Sequence, residues 1–443
     1  MKGLFLVFII LVFIINYTYN IVTKKVQRNF IYVIGVYRHS IVDKKFASNI
    51  IDLAHERDIA VIVKEYDSYF QLLQECNSYD IDLAILPEDF YVDSCLGLNV
   101  FKEQRYMNNQ YMISLYFNYM YLMSDLVYID TSKKQKFTTF SQIRNFKKVY
   151  SRNYIIGTER AQSNSYMNLV LILSVYGLTP VNIDDIADSN FDYDENVVFY
   201  KHLSKPELHK YMLNKQVDGI FVMDIQNSRF VSTIMKTTNT IFINLDLENT
   251  IFDDVFSNYY SKKKLSVNSF YTNDTDTYFQ TNNITPKDKI TYYNDDDLNY
   301  SNTQKPVDLD NSLKNIMSNI GEFDTRSIRT VLVSNDHIDK EIVYKITELI
   351  LRNNNFFINK VLYNKFSNTE HDLFEPIDII YIDKNIRYHD GSRKLYEEMK
   401  FITFDKKELT KMEADAEDKF DMYWKYSKIG LSNFKFKEDD TSE

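Results

Sequence analysis

The chain has 443 residues, enough for one large domain or two to three ordinary ones. With 44% hydrophobic and 26% charged residues, it can bury a core over most of its length. A net charge of −10, with no basic block to offset it, argues against a nucleic-acid partner. Tyr (35) and Phe (31) are abundant while Gly (9) and Pro (6) are scarce. Together with the excess of Asn, Lys and Ile this reads as codon bias, so richness in Tyr or Asn is not taken as a functional signal.

The chain opens with Met1-Lys2-Gly3 and twelve consecutive apolar residues, Leu4 to Ile15, continuing more weakly to Val22. A short basic start before an apolar stretch reads as a secretory signal peptide or a membrane anchor over residues 1–28. Asn16-Tyr17-Thr18-Tyr19-Asn20 offers no small-residue cleavage site. A span of about 20 apolar residues is reached only by tolerating Asn16 and Asn20. Anchor, cleaved signal and buried helix therefore all stay open, as does orientation.

From residue 29 the chain reads as alternating strands and helices. Asn29 to Val36 is β-branched and aromatic, a strand that ends in the polar loop Tyr37-Arg38-His39-Ser40. Helical spacing follows over 43–57, with Phe46, Ile50, Ile51, Leu53 and Ala54 on one face. Ala60 to Val63 is a second strand, and Asp67 or Ser68 caps a helix beginning Tyr69-Phe70. The strand Ile81 to Leu86, entered through Asp80 and Asp82 and left through Pro87-Glu88, closes a βαβαβ block. The same unit recurs in Val217-Asp218-Gly219-Ile220-Phe221-Val222-Met223-Asp224. Both runs are too short for helices and apolar on both faces, as central strands of a parallel sheet are. Two such units suggest two sheets with a cleft between them, and ligands of open α/β sheets sit beyond the strands' carboxyl ends.

Between the units lie extended runs at 112–116 and 119–123, a short helix at 139–144 and a strand at 153–157. A helix over 163–176 is entered through Ser163-Asn164-Ser165 and stopped by Gly177. A strand at 196–200 and a helix started by Ser204-Lys205-Pro206-Glu207 precede the second unit, and an extended run at 240–245 follows it. Residues 257–325 turn to Asn, Asp, Ser, Thr and Tyr around Asp295-Asp296-Asp297 and read as a long, low-complexity, partly disordered insertion. Sequons at Asn273, Asn283 and Asn299 fall inside it. The fold resumes with a strand at 329–334, a helix at 339–351 and a strand-like run at 378–382.

Taken in order, these pieces resemble the solute receptors of TRAP transporters of the TAXI type. The segments that carry the resemblance are Tyr32-Val33-Ile34-Gly35, Ser68 to Leu72, Asp82-Leu83-Ala84-Ile85, Leu115-Tyr116, Ser141 to Lys147, Ile155-Ile156-Gly157, Gly177-Leu178, Ile342 to Ile346 and His389 to Glu398. The resemblance implies an α/β, two-lobed fold of the type II periplasmic-binding-protein kind, with an interlobe cleft, behind the N-terminal hydrophobic helix. Lobe one would comprise 29–112 and 339–405, lobe two 113–338, and 406–443 a charged tail. It also implies a membrane transporter as partner and a small anionic solute, a dicarboxylate or an amino-acid-like compound. The chain departs from the family where Tyr37-Arg38-His39 and Gly157-Thr158-Glu159-Arg160 replace glycine-rich loops.

Candidate ligand contacts are Tyr37, Arg38 and His39 after the first strand, Pro87 and Glu88 after the third, and Tyr116 on a crossing strand. In the second unit they are Arg160, the helix entrance Ser163, Asn164 and Ser165, and Asp224. Helix N-termini with hydroxyl and amide donors suit anions, and Arg160 or Arg38 could clamp one. His389 reads as a structural turn with Gly391. There is no nucleophile elbow, P-loop, HExxH or CxxC, and the seven histidines are scattered. No catalytic residue, metal site or cofactor is expected, and Cys76 and Cys95 read as free thiols. The leading expectation is an extracytoplasmic solute-binding protein. A scaffold that kept the fold, lost the ligand and serves protein interaction is the alternative, with an enzyme on the same fold third.

Overall fold

A computed structural model describes residues 31–97, 101, 105–125, 139–186, 194–226, 228–238, 240–245, 260–267, 322–353 and 387–399. The N-terminal apolar segment, the strand-like run at 378–382 and the charged tail lie outside the described residues. Among those described, no helix is long and apolar enough to cross a membrane.

The first half is built from β1 (Tyr32–Tyr37), α1 (Ile41–His55), β2 (Val61–Tyr66), α2 (Tyr69–Asn77), β3 (Leu83–Pro87) and α3 (Glu88–Leu96). Ser40 and Ser68 cap α1 and α2 by accepting the backbone N–H three residues on. Then comes β4 (Asn109–Asp125), one 17-residue strand where the sequence suggests two runs. The second half holds α4 (Phe146–Tyr150), β5 (Ile155–Thr158), α5 (Asn164–Val175), β6 (Thr179–Asn182), β7 (Val197–His202), α6 (Lys205–Leu213), β8 (Gly219–Ile225), α7 (Arg229–Thr237) and β9 (Thr240–Phe242). The chain returns through β10 (Tyr260–Ser266), β11 (Glu322–Asn335), α8 (Lys340–Arg352) and α9 (Asp390–Glu398).

The eleven strands of the described residues form one sheet, in the order β2-β1-β3-β11-β4-β8-β5-β7-β6, with β10 on β11 and β9 on β4. The expected pair of separate sheets is corrected here: a mixed α/β protein has one sheet running through both units. The reason is the length of β4 and β11. Residues 109–119 of β4 pair antiparallel with β11, and residues 118–124 pair antiparallel with β8. On its other side β11 pairs antiparallel with β3. The two ends of the supposed low-complexity insertion, 260–266 and 322–328, are likewise paired strands; its interior lies outside the described residues.

The halves repeat one wiring. β2-β1-β3 and β7-β5-β8 are parallel triplets, each finished by an antiparallel strand, β11 or β4. The recurring acidic residue explains itself at this level. Asp82, just before β3, accepts the Val33 N–H through its carboxylate (2.9 Å) while its own N–H bonds the Val33 carbonyl (3.0 Å). Asp218, just before β8, does the same to Ile155 at 2.9 Å for both bonds. The carbonyls of Asp82 and Asp218 then accept the N–H of Asn335 and Asp125, on the two crossing strands. The repeated aspartate therefore locks three strands together at the edge opposite the carboxyl ends. It satisfies backbone groups that would otherwise be buried unpaired, and its role is structural.

Gly35 and Gly157 occupy equivalent places inside β1 and β5, not in the following loops. A side chain at Gly35 would press on Leu72 and Ile81, and one at Gly157 on Leu208, so each glycine lets a helix lie close on its sheet. A harder case is Gly391 at the start of α9. There a Cβ would lie 2.2 Å from the Lys340 carbonyl oxygen and 2.8 Å from the Tyr344 nitrogen, both backbone atoms of α8 or its first turn. His389 caps α9 by accepting the Gly391 N–H at 3.1 Å, the structural turn expected of it. Because backbone cannot swing aside as a side chain does, Gly391→Ala is expected to cost about 2–3 kcal/mol of overpacking. Chemical denaturation checks it; an unchanged midpoint would mean that the α8–α9 contact is looser than described.

Candidate functional site

The carboxyl ends of the two parallel triplets meet along one seam, with β4 and β11 as its floor. Contacts across it tie the halves together. Arg160, after β5, lies 3.3 Å from the His39 ring nitrogen, after β1. The Asn168 side-chain amide, on α5, donates to the Asp89 carboxylate, on α3, at 3.3 Å. Tyr260 of β10 donates to the same Asp89 oxygen at 3.1 Å. The buried apolar residues on the α2–α3 face of the first half and those of the second half form one continuous cluster. The other face of the first half, under α1 and α8, has its own core around Phe46, Ile85 and Ile346.

On the first-half side the loop residues are packed inward. Tyr37 is buried, its ring 4.7 Å from Tyr69 and 5.4 Å from His39. Tyr69 continues to Phe90 at 5.4 Å. Behind them Asp43, fully buried in the first turn of α1, accepts from the Tyr69 hydroxyl at 3.0 Å and from the Tyr116 hydroxyl. Burial pushes Asp43 up to about 6, against the hydroxyls of Tyr116, Ser40 and Tyr69, which hold it down. Tyr116 itself stacks on Phe46 at 5.0 Å and belongs to the core beneath α1. Arg38 points the other way, to Asp67 (2.8 Å) and Glu65 (3.7 Å) at the end of β2. Pro87 precedes α3 as its N-cap residue. Glu88, fully buried, pairs with Arg329 of β11 at 3.0 Å, and that guanidinium sits over the Phe117 ring.

On the second-half side Ser163 caps α5 by accepting the Tyr166 N–H at 3.1 Å. The Ser165 hydroxyl accepts the Met223 N–H at 2.8 Å and donates to the Glu159 carboxylate. Glu159 thus places a carboxylate at the positive end of α5, where an anion would otherwise be favoured. Asn164 accepts from Asn168 at 2.6 Å. Asp224 accepts from Ser228 (2.8 Å) and Lys205 (2.9 Å) at the end of β8.

Of the sequence-derived candidates, the fold brings His39, Arg160 and Asn164, together with Tyr37, Ser163 and Ser165, to the seam. Glu88 and Asp224 lie at its strand ends with partners of their own, Tyr116 lies in the core, and Arg38 lies at the outer edge of β2. Sequence reasoning missed Asp89, Asn168 and Tyr260. For Asp89 a signal existed: Pro87-Glu88-Asp89 is a helix start with two acids in its first turn. Burial pushes the Asp89 carboxyl up to about 6, opposed by the Phe90 N–H, Tyr260 and Asn168. Among the described residues no group of three or more His, Cys, Asp or Glu is placed to hold a metal ion.

No family model and no curated protein matches the chain. Solved structures with a similar chain path include XAC2383 from Xanthomonas citri bound to ATP, at 8% identity and a TM-score of 0.42, covering 87% of this chain and 98% of that one. The GluR0 ligand-binding core from Nostoc punctiforme in complex with L-glutamate matches at 7% identity and 0.36, covering 75% and 99%. The periplasmic aliphatic sulphonate binding protein SsuA from Escherichia coli matches at 12% identity and 0.33, covering 76% and 96%.

Proposed function

We propose that the chain is an extracytoplasmic binding protein that takes a small polar solute between its two halves by hinge closure. One observation carries this reading. Two parallel triplets direct their carboxyl ends at one another across a floor of just two long strands, which is the placement at which open α/β sheets hold ligands. Bending of β4 and β11 would separate the halves without breaking either triplet. The apolar N-terminal segment supports delivery outside the cytoplasm, and the TAXI-like motifs support a transporter partner and an anionic group on the solute. Arg160, whose described hydrogen bond is to a ring nitrogen of His39, is the cation in place to meet that group. Arg38 is committed to Asp67 and Glu65.

A second reading, an interaction scaffold that no longer takes a solute, is favoured by the filling of the first half. Tyr37, Tyr69 and the Asp43–Tyr116 pair occupy the volume just beyond β1 with aromatic and hydrogen-bonded groups. Thermal unfolding of the full chain against dicarboxylates, amino acids, amines and sugars separates the two. A ligand of the native state alone raises stability by about 2.7 kcal/mol at a hundredfold excess over Kd. A shift with one compound class is expected. A flat response across the panel, from a cooperatively unfolding protein, would replace the receptor by the scaffold.

A further inference from the structure

The positive ends at the seam are already answered by the chain's own carboxylates. Asp43 lies in the first turn of α1 and Glu88 and Asp89 in the first turn of α3. Glu159 takes the start of α5 through Ser165. Glu88 pairs with Arg329, and Asp224 with Lys205. Arg160 is a cation of the seam beside His39, but the described partners of Asp89 supply no positive charge. Among the described residues the hydrogen-bond partners of Asp89 are neutral: the Tyr260 hydroxyl, the Asn168 amide and the Phe90 N–H. Asn168 is 1% exposed, and among the described residues its side-chain oxygen has no hydrogen-bond partner. The amide cannot be turned to cure this. Its nitrogen faces three acceptors, the Asn164 carbonyl (2.9 Å), the Asn164 side-chain oxygen (2.6 Å) and Asp89. Asp89 and Asn168, whose side-chain oxygen is unmet among the described residues, are therefore neighbouring side chains, one from each half.

Resting on the receptor reading above, we infer that the solute carries a protonated amine, seated between the Asp89 carboxylate and the Asn168 side-chain oxygen. An ammonium has three donors and no acceptor. It gives Asp89 the countercharge that Tyr260 and Asn168 do not, and gives the Asn168 oxygen its missing donor. Because Asp89 belongs to α3 and Asn168 to α5, one amine bonded to both would hold the halves closed. Burial raises the Asp89 carboxyl, and an ammonium bonded to it would favour the ionised form.

The test uses four matched probes at pH 7.5 on the full chain, read by calorimetric titration and thermal shift. They are glutamate, glutarate, N-acetylglutamate and cadaverine. Glutamate or cadaverine is expected to bind, and glutarate and N-acetylglutamate to bind at least tenfold more weakly than glutamate. Asp89→Asn and Asn168→Ala, one on each half, are each expected to weaken the amine probe at least tenfold. The second variant serves if the first fails to fold. Binding of glutarate or N-acetylglutamate as tight as that of glutamate would overturn the amine and leave the receptor standing. Amine binding indifferent to both substitutions would overturn the seat. Silence from all four probes overturns the inference as well, and the wider panel then decides the receptor reading separately.

Discussion

Glu88→Ala is expected to destabilise the protein by about 3–5 kcal/mol, the range for removing one partner of a buried ion pair. Glu88 is fully buried and Arg329 nearly so, with contacts at 3.0 and 3.3 Å. The loss is greater than that of the bond itself, because the guanidinium stays on β11 between α3 and Phe117 without the carboxylate that faces it. The paired replacement Glu88→Leu with Arg329→Met removes both charges and should recover most of that loss. Denaturant titration of the three proteins checks this. If the single substitution costs under 1 kcal/mol, water reaches the pair and the junction of α3 with the crossing strand is not dry.

The second large effect is a reversed pH dependence from Asp43. Its carboxyl sits at about 6 in the folded chain, against about 3.9 for an unperturbed aspartate. Between those values the folded state keeps a proton that the unfolded state has released. Stability from this group is therefore fully present below pH 4 and is lost as pH rises through 6. The shift of about 2 pKa units corresponds to roughly 3 kcal/mol. Asp89, partly exposed, adds a smaller step of the same sign. Glu207, whose carboxyl is lowered by bonds from Ser204, acts oppositely, so the clean measurement is a difference. The stability of the parent minus that of Asp43→Asn should fall by about 3 kcal/mol from pH 4 to 7.5. A difference that is flat, or that grows with pH, would show that the Tyr116 and Tyr69 hydroxyls hold Asp43 ionised.

Much of the architecture was legible because its signals are local. β-branched runs gave the parallel strands, Ser68, Ser163 and Ser204 gave helix starts, and Gly177 gave a helix end with φ +65°. The acidic residues Asp82 and Asp218 stood out as a repeat, but their purpose was hidden. Each bonds a strand about 50 or 60 residues away, on the edge opposite the ligand side. β11 was underestimated because its first residues, Glu322 to Arg326, are polar apart from Phe323 and pair with the similarly polar Lys262 to Ser266. α3 was missed because residues 88–96 carry no clear apolar stripe. The seam was legible only in part. The meeting of Asp89 with Asn168 and of His39 with Arg160 spans 79 and 121 residues, and no spacing rule reaches that far.

The crossing strands also set an order of assembly. The second triplet and the strand that completes it, β4, are contiguous over residues 109–225, so every partner is available once that stretch has left the ribosome. The first triplet is synthesised earlier yet must wait for β11, residues 322–335, to cover the open side of β3. During that interval Leu83 to Pro87 present an apolar, unpaired strand edge, the kind that templates aggregation. Newly made chains should thus finish from the middle outward. A ribosome-stalled chain ending before residue 322 is expected to protect 155–225 from protease while 32–96 remains cleavable, and one extending past 335 to protect both.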